Sequence, residues 1–122
     1  MKGFVTNIEK DSLENEYFRK VPYTSKHLQL VLMSLRPGED IGAEVHQLDQ
    51  FIRVEKGEGK SVLDGEERAL ADGSAIIIPA GTLHNIINTS ATEDLLNPPN
   101  RRHTVSQEPR IRTAALFFFP KI

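Results

Sequence analysis

Apolar and polar residues alternate along "HLQLVLMSL" at 27–35, with the period of two that is typical of a strand with one buried face. The turn-forming stretch "RPGED" at 36–40 ends this predicted strand. From 50 to 81, strand-length apolar runs are separated by "KGEG", "LDGE" and "ADGS", and Asp-Gly is a strong hairpin signal. "HNIIN" at 84–88 predicts another strand, while "DSLENEYFRK" at 11–20 fits a helical turn or an extended arm.

Short strands separated by turn signals predict an all-β fold, an antiparallel sandwich or barrel. A chain of 122 residues fits one domain with a core of its own. We place the centre of this domain at about 27–90, with an N-terminal arm at 1–26 and a C-terminal tail at 91–122.

Composition narrows the classes of partner. The net charge is −2, from 15 basic and 17 acidic residues spread along the chain, so we expect neither nucleic acid nor a membrane surface as a partner. There is no cysteine, so any metal must be held by nitrogen and oxygen ligands. The first residues lack the apolar segment of a signal peptide and no stretch is long enough to span a bilayer, which predicts a cytoplasmic protein.

The segment "EVHQLDQF" at 44–51 carries the candidate chemistry. In a strand, Glu44, His46 and Gln50 share a face, and they converge if a turn lies near Asp49. A carboxylate, an imidazole and a carboxamide together suggest a metal site. A shift of one residue in register would exchange the faces of Gln50 and Asp49, so Asp49 is an alternative ligand.

Two motifs of this sequence resemble those of the cupins, a family of small barrels. The pattern G-x5-P-x-G-x2-H-x3-N is matched in full by "GSAIIIPAGTLHNIIN", from Gly73 to Asn88. The pattern G-x5-H-x-H-x3,4-E-x6-G is matched in spacing from Gly38 to Gly57, with Glu44 in place of the first histidine and Gln50 in place of the glutamate. The resemblance implies an antiparallel jelly-roll β-barrel.

The same resemblance implies one divalent metal ion inside the barrel, held here by Glu44, His46, Gln50 and His84. This set keeps one anionic and three neutral donors. A carboxamide is a harder donor than an imidazole, which favours manganese or iron, with zinc or nickel as further possibilities. Glycines and a proline of the second motif, Gly73, Pro79 and Gly81, are interpreted as turn residues that present His84.

Function can be predicted from these residues only as a class. The first hypothesis is a metal-dependent enzyme, an isomerase or dioxygenase acting on a small organic acid or sugar. The alternative is a non-catalytic module that binds such a molecule in the barrel. His27 and His103 lie outside both motifs, and we expect them to be structural or surface residues. Arg53 is predicted to point away from the cavity.

Residues at the two ends of the chain complete the predictions. Tyr17, Arg19 and Tyr23, on the N-terminal arm, could reach the mouth of the pocket. The C-terminal run "AALFFFP" predicts a strand at Ile111 to Phe119, buried on both faces and packed against the barrel or, in preference, against a second copy of the chain. A homodimer is therefore expected. The alternative is a tail that contributes nothing to the fold.

Overall fold

A computed structural model of the chain describes residues 2–90 and 108–120, in which eight strands and one short helix are connected by tight turns. The elements in chain order are α1 (Ile8–Glu14), β1 (Arg19–Thr24), β2 (Leu28–Leu35), β3 (Asp49–Lys56), β4 (Gly59–Leu63), β5 (Glu66–Leu70), β6 (Ala75–Ile78), β7 (His84–Ile87) and β8 (Ile111–Phe118). The predicted all-β class is confirmed, and each predicted strand is present.

The strands form two antiparallel sheets. One sheet has five strands in the order β1-β2-β8-β3-β6, and the other has three in the order β5-β4-β7. Two packed antiparallel sheets fit a jelly roll. Within the described ranges the sheets remain separate hydrogen-bonded units, so a closed barrel is not formed by these strands.

Turn chemistry fixes the hairpins as the sequence predicts. Between β4 and β5, Asp64 and Gly65 have φ angles of 48° and 85°. Two consecutive residues with positive φ make the type I′ turn that matches the twist of paired strands, and Asp-Gly is a favoured pair for it. The hairpin register follows, with Leu63 opposite Glu66 and Gly59 opposite Leu70.

The main core lies between the two sheets. Its buried members come from both sheets: Val31, Leu35, Ile52, Val54, Leu70, Ile76, Ile78, Ile86, Ile111 and Ala115. Within β3, Ile52 and Val54 are buried and Arg53 is exposed, so the predicted alternation of this strand holds. A smaller apolar cluster, built from Leu30, Leu32 and Ala114, receives Ile8 of α1.

The C-terminal strand occupies a different place from the one that its composition suggested. β8 is confirmed as a strand, but it pairs with β2 on one side and with β3 on the other, in the middle of the larger sheet. β8 is therefore one of the sheet's own strands, and the preference for packing it against a second copy remains a prediction. Burial on both faces holds for 111–115, whereas Phe118 is 43% exposed. The homodimer itself remains a prediction.

The N-terminal arm contains both a helix and a strand. Asn7 caps α1, because its side-chain oxygen accepts a hydrogen bond from Lys10 N at 2.9 Å. The chain then reaches β1, which pairs with β2 at the edge of the larger sheet. In the described part of the chain, α1 has seven residues, and no helix has the length and apolar character needed to cross a membrane.

Candidate metal centre

Glu44 lies next to His84 because the backbones of these two residues pair outside the regular strands. Glu44 N donates to His84 O and His84 N donates to Glu44 O, both at 2.9 Å. Residues that exchange both hydrogen bonds in an antiparallel pair lie directly opposite each other, with their side chains on the same face. The pairing therefore brings Glu44 and His84 together from segments 40 residues apart in sequence.

His84 is held in one tautomer and one orientation. The residue is 1% exposed, and its Nδ1 lies 3.0 Å from Thr82 O. A carbonyl oxygen can only accept, so Nδ1 carries the proton and the lone pair of the neutral ring is at Nε2. Nε2 is buried and has no hydrogen-bond partner among the described residues. This is the arrangement that a metal-binding histidine requires.

Glu44, His46 and His84 form a compact group. One ligand atom of each lies within 4.8 Å of the others, a separation that could accommodate a metal ion. Nε2 of His46 is 3.6 Å from Oε2 of Glu44, which is too long for a hydrogen bond between them. The rings of His46 and His84 have centroids 5.2 Å apart. The three side chains thus converge without binding each other tightly.

Gln50 and Asp49 lie on opposite faces of β3. Gln50 is 4% exposed and borders the same cavity as Glu44 and His46, and its Oε1 is buried with no hydrogen-bond partner in the described residues. Asp49 is exposed, and its Oδ1 accepts a hydrogen bond from Ala80 N at 2.9 Å. The geometry therefore favours Gln50 over the alternative, Asp49. The bend that separates Glu44 from β3 falls at 47–48, just before Asp49.

A turn in the second motif ties the two motifs together. Gly81 has φ of 86°, a conformation that glycine adopts without strain, and its N–H donates to His46 O at 2.8 Å. Thr82 N donates to Pro79 O at 3.2 Å in the same turn. The turn thus fixes the backbone of His46 and presents His84, which agrees with the structural role expected for Pro79 and Gly81.

Glu44, His46 and Gln50 open onto a mostly apolar cavity of about 230 Å³ between the sheets, and His84 lies beside Glu44 and His46 without lining the cavity itself. Its lining residues are Phe18, Arg19, Met33, Leu35, Ile41, Glu44, His46, Gln50, Ile52, Ile86, Thr113, Ala115 and Phe117. The volume is below the roughly 300–1,000 Å³ typical of sites for drug-sized ligands. The cavity therefore suits a small molecule.

Comparison with known proteins agrees with the fold. The cupin domain family matches residues 31–97, more than half of the chain. The chain belongs to the cupin domain family. The structure of this cupin is similar to the crystal structure of BH2720 from Bacillus halodurans, with a TM-score of 0.80, 34% sequence identity, and coverage of 99% of this chain and 84% of that one.

Two curated relatives are also similar to this cupin in sequence, and both are named as uncharacterized proteins. YrkC of Bacillus subtilis (strain 168) is 44% identical over 110 residues, which cover 81% of this chain and 59% of YrkC. L612 of Acanthamoeba polyphaga mimivirus is 48% identical over 97 residues, which cover 75% of this chain and 60% of L612. The chain therefore spans less than two thirds of the length of either relative.

Other residues singled out from the sequence occupy varied places in the cupin. Arg19 lines the cavity, as expected, whereas Tyr17 and Tyr23 do not. His27 is partly buried and lies outside the cavity lining. His103 lies outside the described residues. Sequence reasoning missed Phe117, whose ring centroid is 5.7 Å from that of His46.

Proposed function

We propose that this cupin binds one divalent metal ion through Glu44, His46, Gln50 and His84, and that it is a metal-dependent enzyme acting on a small organic acid or a sugar. The observation that carries the proposal is a pair of buried acceptor atoms, Gln50 Oε1 and His84 Nε2, without partners in the described residues. A buried polar atom without a partner is costly, and a bound ion would remove that cost.

The donor set fits such an ion. Glu44 and Gln50 offer oxygen atoms, and the histidines offer nitrogen atoms, so the ligands carry one negative charge in total when both histidines are neutral. The two oxygen donors favour manganese or iron, with zinc or nickel as alternatives. A bound divalent ion supplies Lewis-acid chemistry toward a substrate oxygen, which suits an isomerase or a dioxygenase.

The surrounding residues determine what a substrate meets in the cavity. Apolar side chains such as Met33, Ile52 and Phe117 exclude water and pack against its body. Glu44 has a side chain that is 44% exposed and borders the cavity, where its carboxylate can accept a proton from a bound substrate. The titratable groups of the cavity wall are few, which keeps a non-catalytic binding module as the alternative.

The test is metal analysis of the untreated protein, followed by thermal unfolding with and without a chelator. A metal present at one hundred times its dissociation constant stabilises the folded state by about 2.7 kcal/mol, so the chelator should lower the melting temperature of the wild type. His84→Ala should abolish this response, and the control His27→Ala should retain it. An equal chelator response in wild type and His84→Ala would contradict the proposed ligand set.

Gln50 provides a second test of the same ligands. Gln50→Glu should tighten metal binding, because it adds a negative charge next to the ion at a position where cupins usually carry a carboxylate. Titration of the metal-stripped protein measures this change. Asp49→Asn is the matched control and should leave affinity unaltered. An effect of Asp49→Asn larger than that of Gln50→Glu would move the ligand to Asp49.

A further inference from the structure

One cationic side chain in the cavity wall has no assigned role. Arg19, the first residue of β1, lies opposite Met33 of β2, and both line the cavity. The Arg19 Nη2 atom is 3.5 Å from Gln29 Oε1, a long contact with a neutral group. None of the ion pairs between described residues includes Arg19. Its guanidinium therefore has donors to spare for a ligand.

The charge of the cavity favours an anion. Of the described lining residues, Glu44 is the one carboxylate and Arg19 is the one residue that is always cationic. These two charges cancel, so a divalent ion held at the proposed centre would leave the wall with a net charge of about +2 when the histidines are neutral. A small anionic ligand would be attracted into such a cavity.

The sheet register shows where Arg19 acts relative to the candidate ligands. Gln29 of β2, Phe117 of β8 and Gln50 of β3 lie abreast, because Phe117 pairs with Gln29 on one side and with Gln50 on the other. Neighbouring strands are about 4.8 Å apart, so the backbones of Gln29 and Gln50 are roughly 10 Å apart. Residues directly opposite share a face, and Phe117 therefore lies between the guanidinium of Arg19 and the metal-ligand group.

We propose that Arg19 is a specificity-determining residue that binds the carboxylate of a small organic acid whose apolar body lies on Phe117. The acid's other end would face His46, whose ring is 5.7 Å from that of Phe117 by centroid distance. An arginine fork matches a carboxylate with two parallel hydrogen bonds, which a lysine cannot reproduce. The inference rests on the proposed function for the end of the ligand that faces the metal centre and for the net positive charge of the cavity.

Benzoate and benzamide test this inference, because they share a flat, small body and differ in charge. Calorimetric titration of wild type should show benzoate binding roughly tenfold tighter than benzamide, since a charge-assisted pair is stronger than a neutral one. Arg19→Gln should remove the preference and Arg19→Lys should retain part of it. Lys20→Gln is the matched control, because Lys20 lies opposite Leu32 on the other face of the sheet and should keep the wild-type preference.

The titrations are made on both metal-stripped and manganese-loaded protein, with melting temperatures recorded to confirm that each variant is folded. If the protein binds no metal, but wild type prefers benzoate and Arg19→Gln does not, the role of Arg19 in carboxylate binding is supported. Only the metal proposal is then overturned. The role of Arg19 alone would be overturned if the protein binds metal but wild type does not prefer benzoate to benzamide. Equal preferences for benzoate in Arg19→Gln and Lys20→Gln would overturn it as well.

Discussion

Two buried side chains of this cupin end in the same carboxamide group but have opposite surroundings. Asn88, which follows β7, is fully buried: its Nδ2 donates to Leu35 O at 3.0 Å and to Pro109 O at 2.9 Å, and its Oδ1 accepts from Ser90 N at 3.0 Å. Gln50 is 4% exposed and faces the cavity, where its Oε1 has no partner in the described residues.

The difference separates a structural region from a ligand-binding one. Asn88 connects the end of β2 to the segment that enters β8, so its hydrogen bonds stabilise the fold directly. An unsatisfied buried polar atom costs about 1–3 kcal/mol, so Gln50 lowers the stability of the metal-free protein while it offers a ligand atom to the cavity. Ser12 Oγ, His27 Nδ1 and Arg110 Nε are also buried without partners in the described residues, but those residues neither line the cavity nor belong to the group of Glu44, His46 and His84.

The largest expected effect is that of Asn88→Ala. This change removes three hydrogen bonds and leaves two backbone carbonyls near β2 and β8 without their partner, so we expect a loss of about 3–5 kcal/mol in the free energy of unfolding. Urea denaturation measures it. In the control Asn85→Ala, a half-buried carboxamide that accepts from Ile86 N at 2.8 Å is removed, and about 1 kcal/mol should be lost. Similar losses of stability in the two variants would contradict the structural role assigned to Asn88.

The contrast also shows how far the sequence leads. The resemblance of the two motifs to those of cupins predicted Glu44, His46, Gln50 and His84 as one ligand set. In the structure Glu44, His46 and His84 lie together, and Gln50 borders the same cavity as Glu44 and His46. The ligand role itself stays a prediction until metal binding is measured.

The position of β8 could not be predicted, because its pairing with β2 and β3 joins segments far apart in sequence. Local patterns carry no information on such pairs. The run "TAALFFF" also lacks a clear alternation, so Thr113, Ala115 and Phe117 were not recognised as cavity residues. Asn88 was matched to its motif, but its three partners lie on segments that only the folded chain brings together.

A second prediction extends the structural region to the N-terminal arm. Arg112 of β8 is 9% exposed, and it donates from Nε to Asn15 O at 3.3 Å and from Nη2 to the Glu16 carboxylate. Arg112→Met should lose about 1–3 kcal/mol, since it leaves the Asn15 carbonyl without this donor. Glu16→Gln should lose less than about 1 kcal/mol, because the Glu16 side chain is 42% exposed and solvent screens its charge. Equal losses in denaturant titrations would show that the ion pair, rather than the buried carbonyl, dominates.

The third prediction concerns the other carboxamide. Gln50→Met replaces an unpartnered polar group by an apolar one of similar size, so the metal-free protein should keep its stability or gain up to about 1 kcal/mol. Thermal unfolding in chelator measures this, and the same variant should lose much of the stabilisation by added manganese. A loss above about 2 kcal/mol in the metal-free protein would mean that Gln50 has a structural role like that of Asn88.

The smallest expected effect tests whether a satisfied polar group stabilises the fold when it is exposed. The N–H of Gly57, which donates to Asp72 Oδ1 at 2.8 Å, lowers the pKa of the Asp72 carboxyl, and the charge of Lys56 adds to the effect. A pKa below the unfolded value of about 3.9 means that the ionised group stabilises the folded state above that pH, and that this contribution is lost as the pH falls through the folded pKa.

Asp72→Asn keeps an acceptor for Gly57 but removes the charge. The wild type should therefore unfold at a slightly higher temperature than this variant near pH 7, and the two should coincide in acid below the folded pKa. Asp72→Ala, which removes the acceptor as well, should be less stable than Asp72→Asn at every pH. A difference between wild type and Asp72→Asn that does not change with pH would show that the carboxylate's charge contributes nothing. Equal stability of Asp72→Asn and Asp72→Ala would show that the exposed hydrogen bond contributes nothing, and that hydrogen-bond satisfaction stabilises this protein only where the group is buried.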